Sequence, residues 1–265
     1  MSGREELFTA ARWRAVLRAA GYRAVPHFLD PAGGRLLRRL PDRANWTIAL
    51  DTPAGRATLY LKCHEPCRRS VPPGLREWFH HERLREHGLA VPEPAAAGRD
   101  AAGRSFFASV ALEGTVPLEE FLCQRAHRDR ERIRRLAALV RRLHALEVGH
   151  RDLYLCHVLL RARDEALFLI DLQRLVGGSG RRLRRRWKVK DLAALHHSSA
   201  GLAAVTRHDR LRFLLGYLGK ERIDRETRRW LGRVRRKARR MARHRPRHGD
   251  GGGGRPDSCR TRTFR

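Results

Sequence analysis

The stretch Gly149-His150-Arg151-Asp152-Leu153-Tyr154-Leu155-Cys156-His157 decides the fold expected for this chain of 265 residues. It follows a long amphipathic stretch that ends near residue 146, and it precedes two short apolar segments at 158–160 and 167–170 that indicate a hairpin. The tripeptide His150-Arg151-Asp152 alone is a weak signal, because the chain holds 14 histidines and is rich in arginine. The residues that follow it therefore decide its meaning.

Two polar residues flank the expected hairpin at the spacing of a kinase catalytic centre. His157 lies five residues after Asp152, where a protein kinase has its second metal-binding residue, and Asp171 follows the second apolar segment. In phosphoryl transfer, one aspartate orients the attacking hydroxyl while another carboxylate holds Mg²⁺ on the phosphate oxygens. The spacing predicts a phosphotransferase that uses ATP and Mg²⁺, with Asp152 at the acceptor and Asp171 at the metal.

A second candidate group lies upstream, in an apolar strand expected at 57–63 that contains Lys62. A charge inside such a strand is costly unless an anion meets it, so we expect Lys62 to contact a nucleotide phosphate. The helix expected at 75–87 offers two acidic partners for Lys62, and Glu77 is favoured over Glu82. We expect Lys62, Asp152 and Asp171 to face one cleft.

The patterning along the chain predicts an α+β, bilobal protein-kinase-like fold. Short strand-like segments around one helix indicate a small antiparallel-sheet N-lobe over 34–113, and helical periodicity indicates a mainly helical C-lobe over 114–245. We expect an N-terminal helical cap over 1–33 and a disordered, basic, glycine-rich tail over 246–265. Further expected elements are a cap helix at 4–20, a hinge at 111–115, and C-lobe helices at 189–196, 207–218 and 224–243.

The formal net charge of +30 comes almost wholly from arginine. Such a surface attracts nucleic acid, acidic lipid headgroups or phosphorylated sugars, and an arginine-rich coding bias explains the charge equally well. The basic residues lack interleaved aromatic residues for base stacking, so we expect no specific nucleic-acid binding.

Cysteine usage and hydropathy indicate a cytoplasmic protein. The five cysteines are scattered and odd in number, which is typical of reduced thiols. Cys63, His64 and Cys67 lack a second pair at zinc-site spacing, so we expect no metal there. No run of apolar residues is long enough for a transmembrane helix, and the first residues do not have the pattern of a signal peptide.

Several motifs taken together resemble the lipopolysaccharide core kinase family, the bacterial heptose and Kdo kinases. The resemblance covers roughly residues 62–217. Its motifs are Leu143-His144, the stretch 149–157, Leu169-Ile170-Asp171-Leu172-Gln173-Arg174, Lys190-Asp191-Leu192-Ala193, Ser198-Ser199 and the segment 209–217. The resemblance implies a kinase that phosphorylates an inner-core sugar hydroxyl at the cytoplasmic face of the inner membrane, with ATP and a lipopolysaccharide-type glycan as partners.

The resemblance also implies roles for single residues. Asp152 is then the catalytic base, Asp171 the Mg²⁺ ligand and Lys62 the phosphate contact. His157 replaces the asparagine of protein kinases and is either a metal contact or a hydrogen-bond donor behind the metal, because imidazole is a poor magnesium ligand. The supporting residues are His150, Arg151 and Asp191, of which Asp191 is expected to brace the catalytic loop.

Two features depart from the kinase pattern. No G-x-G-x-x-G lies between the opening strands, and residues 43–46 are expected to form that turn instead. The arginine-rich helix at 228–243 either contacts anionic membrane or packs its apolar face on the C-lobe. The alternatives to a sugar kinase are a kinase acting on protein or another small-molecule hydroxyl, an inactive kinase-like scaffold, and a basic nucleic-acid-binding protein.

Overall fold

The computed structural model describes residues 4–67, 70–124, 130–178 and 180–243. The chain divides into two compact units, Met1–Glu113 and Gly114–Arg265, called here unit 1 and unit 2. The tail expected at 246–265 lies outside the described residues, so its disorder stays a prediction.

Unit 1 is built on a six-stranded antiparallel sheet, which confirms the small sheet expected for the N-lobe. The strand order is β1-β5-β6-β4-β3-β2. The strands are β1 Glu6–Thr9, β2 Arg35–Leu40, β3 Arg43–Thr52, β4 Gly55–His64, β5 Pro94–Arg99 and β6 Ser105–Val110. Its helices are α1 Ala11–Ala19, α2 Val25–Leu29 and α3 Pro73–Glu86.

The alternation of side chains along β4 places Lys62 on a different face from the main core. Leu59, Leu61 and Cys63 are buried in the cluster that also contains α1 and α2 residues such as Phe28. Lys62 lies between them in sequence, so its side chain points to the opposite face, where α3 packs. The period of two in the strand therefore delivers the lysine to the helix that carries Glu77.

Three local expectations for unit 1 are wrong. The helix expected at 4–20 begins only at Ala11, because residues 6–9 form β1 and pair with β5 at the sheet edge. Pro92 and Pro94 predict a connection to the strand expected at 105–111, but residues 94–99 form β5, whose small side chains are buried. Residues 43–46 lie inside β3, and the turn before it is Pro41-Asp42. The pairing of β1 with β5 overrides the local pattern in the first two cases, and in the third β3 pairs with its neighbours β2 and β4 from Arg43 onward.

Unit 2 is mainly helical, as expected for the C-lobe, and it contains the predicted hairpin. The hairpin is β9 paired with β10, and β7 extends it to three strands. One short 3₁₀ turn, Leu155–His157, ends the 149–157 stretch. Another, Leu172–Arg174, comes directly after Asp171. The elements are β7 Thr115–Pro117, α4 Leu118–Gln124, α5 Arg130–Ala145, β8 Val148–Gly149, β9 Val158–Arg161, β10 Leu167–Leu169, β11 Val176–Gly177, α6 Arg185–Ser199, α7 Arg207–Leu218 and α8 Arg225–Ala242.

The arginine-rich helix α8 packs its apolar face inside unit 2. Val234 and Ala238 are buried, and the ring of Trp230 lies 6.2 Å from that of Tyr217 on α7. Of the two alternatives weighed for this helix, packing on the C-lobe is the one observed, so the apolar face is not available to a bilayer. Among the residues that the structure describes, no helix combines the length and the hydropathy needed to cross a membrane.

Candidate active site

The loop at residues 150–157, called here the catalytic loop, is held by one buried carboxylate, that of Asp191 on α6. The backbone N–H groups of His150 and Arg151 each donate to Asp191, at 2.7 Å to different carboxylate oxygens. The side chain of Asp191 is fully buried, so these two bonds satisfy charge that would otherwise be costly. The bracing expected for Asp191 is therefore present.

A histidine and a tyrosine extend this brace to two further helices. His144 on α5 lies 3.1 Å from Asp191 through Nε2 and 2.8 Å from the Tyr217 hydroxyl through Nδ1. Burial raises the pKa of Tyr217, so its hydroxyl stays protonated and donates a hydrogen bond to Nδ1. Nε2–H then donates to Asp191, and the chain of bonds ties α5, α6 and α7 to the loop.

Two residues at the centre adopt left-handed backbone conformations. Arg151 has φ +74° and Asp171 has φ +60°, a region that L-residues adopt at a cost of about 1 kcal/mol or more. His150 links these two points, because its Nε2 lies 3.0 Å from the Ile170 carbonyl. Burial lowers the pKa of His150, so the ring is neutral and Nε2–H is the donor.

The imidazole of His157 connects Asp152 with Asp171. Its Nδ1–H donates to the Asp152 carbonyl at 2.7 Å, and its Nε2 lies 3.7 Å from a carboxylate oxygen of Asp171. Burial alone would lower the pKa of His157, but the Cys156 side chain, the Asp152 carbonyl and the Asp171 carboxylate raise it to about 9. Because a carbonyl oxygen can only accept, the Nδ1 contact with Asp152 is a hydrogen bond donated by the ring, as expected for the donor role.

Two cations that the sequence reasoning did not assign hold the Asp152 carboxylate. Arg174 Nη1 lies 2.8 Å from one oxygen and Lys190 Nζ lies 3.4 Å from the other. Burial lowers the pKa of Lys190, and the nearby Asp152 carboxylate partly opposes that effect. Arg174 belongs to the sequence motif of Asp171, and Lys190 to that of Asp191. Only the fold brings both cations to Asp152.

In unit 1, Lys62 forms the expected ion pair with Glu77. Lys62 Nζ lies 2.7 Å from Glu77 Oε1, and the side chain of Glu77 is 1% exposed whereas that of Lys62 is 24% exposed. The second oxygen of Glu77 has no hydrogen-bond partner among the described residues. The pair with Glu77 rather than Glu82 is thus present, and the side chain of Lys62 is only partly buried.

The largest apolar feature of unit 2 described here, a cavity among its helices, is separate from these residues. An apolar cavity of about 650 Å³ lies among α4 to α8, and its lining includes none of Asp152, His157 and Asp171. Within the described part of the chain, no three His, Cys, Asp or Glu side chains are grouped to hold a metal ion by themselves.

Unit 2 holds the His150-Arg151-Asp152 loop and Asp171, and unit 1 holds the Lys62–Glu77 pair. These residue types match the pattern of a protein-kinase-like phosphotransferase. A sequence profile described as the lipopolysaccharide kinase (Kdo/WaaP) family matches residues 68–217. The chain belongs to this family.

Named proteins are similar to this chain over part of its length. The chain is 34% identical over 193 residues to the lipopolysaccharide core heptose(I) kinase WaaP of Pseudomonas aeruginosa, covering 66% of this chain and 71% of that protein. It is 29% identical over 122 residues to the 3-deoxy-D-manno-octulosonic acid kinase of Pasteurella multocida, covering 44% of this chain and 49% of that protein. Among solved structures, a kinase of Cydia pomonella granulovirus, PK-1, matches 54% of this chain and 51% of its own at 15% identity and a TM-score of 0.41, a likeness too weak to support a conclusion.

Proposed function

We propose that this protein transfers the γ-phosphate of ATP to a sugar hydroxyl of the lipopolysaccharide inner core, on heptose or Kdo. The family and the names of its relatives support this acceptor class. The observation that carries the proposal is the His157 imidazole, which links the catalytic-loop residue Asp152 to the Asp171 carboxylate. Phosphoryl transfer needs an acceptor-orienting group and a metal-binding carboxylate in this arrangement.

Each side chain has one task in this proposal. Asp152 accepts the proton of the sugar hydroxyl as the hydroxyl oxygen attacks the γ-phosphorus. Lys62, aimed by Glu77, contacts the phosphates of ATP, which supply the anion that a lysine on an apolar strand requires. His157 donates from its ring to the Asp152 carbonyl and keeps the loop in place.

The residues present fit a magnesium ion that arrives with ATP. Mg²⁺ prefers oxygen ligands and is usually held by one or two carboxylates together with phosphates and water. Asp171 provides a partly exposed carboxylate, with 28% of its side chain accessible. When bound, the ion neutralises charge on the phosphate oxygens. We propose Asp171 as its protein ligand.

The decisive measurement is ATP turnover with purified lipopolysaccharide core oligosaccharide. Asp152→Asn keeps the shape of the side chain and removes its basicity, so we expect kcat to fall by about 10²- to 10⁴-fold. The matched control is Asp51→Asn, which changes an exposed strand aspartate of unit 1. Labelling of a generic peptide by the wild type without any labelling of the glycan would contradict the sugar acceptor.

We also propose that the protein works at the cytoplasmic face of the inner membrane, where ATP is available. Any membrane contact by residues 228–243 would be electrostatic, because the apolar face of α8 is packed within unit 2. Such contact weakens steeply with salt, and each near-surface cation contributes about 1 kcal/mol. Sedimentation with anionic vesicles at low and high salt tests this point.

A further inference from the structure

A second polar feature of unit 2 lies beside the catalytic loop, in a groove of about 590 Å³ between α6 and α8. Eight of its ten lining residues are arginine or lysine. One wall is the first turns of α6 with residues 184–190, and the other is a stripe on α8. We call this feature the cationic groove.

The α8 wall is a regular stripe of four cations. Arg233, Arg236, Lys237 and Arg240 recur at the three- and four-residue spacing that places side chains on one face of a helix. Their like charges repel one another, which costs stability unless an anion compensates it. In the described residues, none of these four side chains forms an ion pair with a carboxylate.

Two contacts connect the cationic groove to the catalytic loop. Lys190 lines the groove and also lies 3.4 Å from the Asp152 carboxylate. Trp187, another lining residue, is covered by the guanidinium of Arg151 at 4.9 Å and by that of Arg186 at 4.7 Å from the ring centroid. Lys190 therefore connects the groove with the carboxylate expected to receive the acceptor proton.

We propose that the cationic groove binds the anionic substituents of the acceptor glycan, carboxylates above all, and so presents the neighbouring hydroxyl to Asp152. The inference rests on the proposed function and specifies its acceptor. The relative named for 3-deoxy-D-manno-octulosonic acid acts on a sugar acid, which is the chemistry that arginine side chains recognise through paired N–H donors. The unbalanced charge of the groove is then compensated when the acceptor binds.

The test compares two triple variants of α8 with equal loss of charge. The groove variant, Arg233→Gln/Arg236→Gln/Arg240→Gln, removes three of the four positive charges on the α8 wall. The control variant, Arg228→Gln/Arg229→Gln/Arg243→Gln, changes three arginines that do not line the groove. Each is assayed with core oligosaccharide and with the same oligosaccharide after reduction of its carboxylates to alcohols. We expect the groove variant to raise the acceptor KM about tenfold or more, with kcat and the KM for ATP within about twofold.

Reduction of the carboxylates is expected to raise the acceptor KM of the wild type and of the control variant, but to change that of the groove variant little. Equal KM values for the two triple variants would overturn the proposal, as would equal use of intact and reduced acceptor by the wild type. Loss of binding to anionic vesicles with an unchanged acceptor KM would instead identify a membrane surface and refute the acceptor site. If the groove variant does not fold, Arg236→Gln at an exposed position takes its place.

Calorimetric titration of the two oligosaccharides without ATP separates this inference from the proposed function. If the wild type transfers no phosphate but binds the intact oligosaccharide more tightly than the reduced one, and the groove variant loses this difference, the activity fails and the groove site stands. If the wild type transfers phosphate but binds both oligosaccharides with the same affinity, the activity stands and the groove site fails.

Discussion

Asp171 and Arg151 hold backbone conformations that are uncommon for residues with a side chain. Local hydrogen bonds offset this cost. Asp191 accepts a hydrogen bond from the Arg151 N–H, and the His150 ring donates one to the Ile170 carbonyl. Such outliers concentrate at functional sites, where surrounding bonds over-determine them. The strain at these two positions is therefore consistent with the roles proposed for the loop and for Asp171.

The Lys62–Glu77 pair predicts unequal costs for removing its two charges. Lys62→Met leaves the buried carboxylate of Glu77 without its cation, so we expect the free energy of unfolding to fall by roughly 2 kcal/mol or more. Glu77→Gln leaves a lysine whose side chain is 24% exposed, so the loss should be under about 1 kcal/mol. Urea unfolding of both variants measures the difference.

The turnover number of the enzyme is a second test of the Lys62–Glu77 pair. Both variants should weaken turnover, Lys62→Met by loss of the phosphate contact and Glu77→Gln by loss of its aim. Glu82→Gln is the matched control, since the ion pair of Lys62 is formed with Glu77. A Glu82 variant that loses as much activity as the Glu77 variant would contradict the assignment.

At the scale of elements, α3 depends on close contact with the sheet. A Cβ on Gly74 would lie 2.3 Å from the backbone oxygen of Phe106 on β6, far inside van der Waals contact. Gly74→Ala must therefore push the start of α3 away from the sheet, one turn before Glu77. We expect a loss of roughly 2–3 kcal/mol in the free energy of unfolding, together with reduced activity.

Gly232→Ala on α8 is the matched substitution with the opposite expected sign. Among the described residues, no atom other than those of the adjoining helix backbone lies within 4 Å of a Cβ at that position. Alanine is favoured over glycine inside a helix by about 0.5–1 kcal/mol. Thermal unfolding of the two variants in parallel checks both expectations. Destabilisation by Gly232→Ala would mean that the exposed side of α8 is more crowded than the structure indicates.

At the scale of the whole molecule, buried histidines couple stability to pH. Burial lowers the pKa of His64 to about 4 and that of His81 to about 3, against about 6.5 in an unfolded chain. The unfolded chain therefore takes up these protons first as the pH falls. The stabilising contribution is complete above about pH 6.5 and is lost as the pH is lowered towards about 4, with a slope of up to about 1.4 kcal/mol per pH unit for each histidine.

Urea titrations between about pH 6.5 and pH 4.5 measure this slope, because His157, whose pKa is raised to about 9, is largely protonated in both states over that range. His64→Asn should make it shallower, whereas His208→Asn at an exposed position should leave it unchanged. A free energy of unfolding that is constant or rises towards acid pH would contradict the prediction.

Local sequence carried the elements whose residues interact mainly with near neighbours. The hairpin at β9 and β10 and the helix at 207–218 follow from apolar periodicity and turn residues. The pairing of Lys62 with Glu77 follows from a strand and a helix that are adjacent in the chain. The motifs around Asp152 and Asp171 were sufficient to recognise the family that the profile match then showed.

Tertiary structure alone decided the contacts made between distant segments. The strand β1 forms because β5 offers an edge about 90 residues away, and no local pattern encodes that partner. Arg174 and Lys190 converge on Asp152, and the arginines of α8 face α6 as one groove, only after the helices have packed. The physical reason is that periodicity specifies which face of an element is buried, whereas the choice of partner depends on packing across the whole chain.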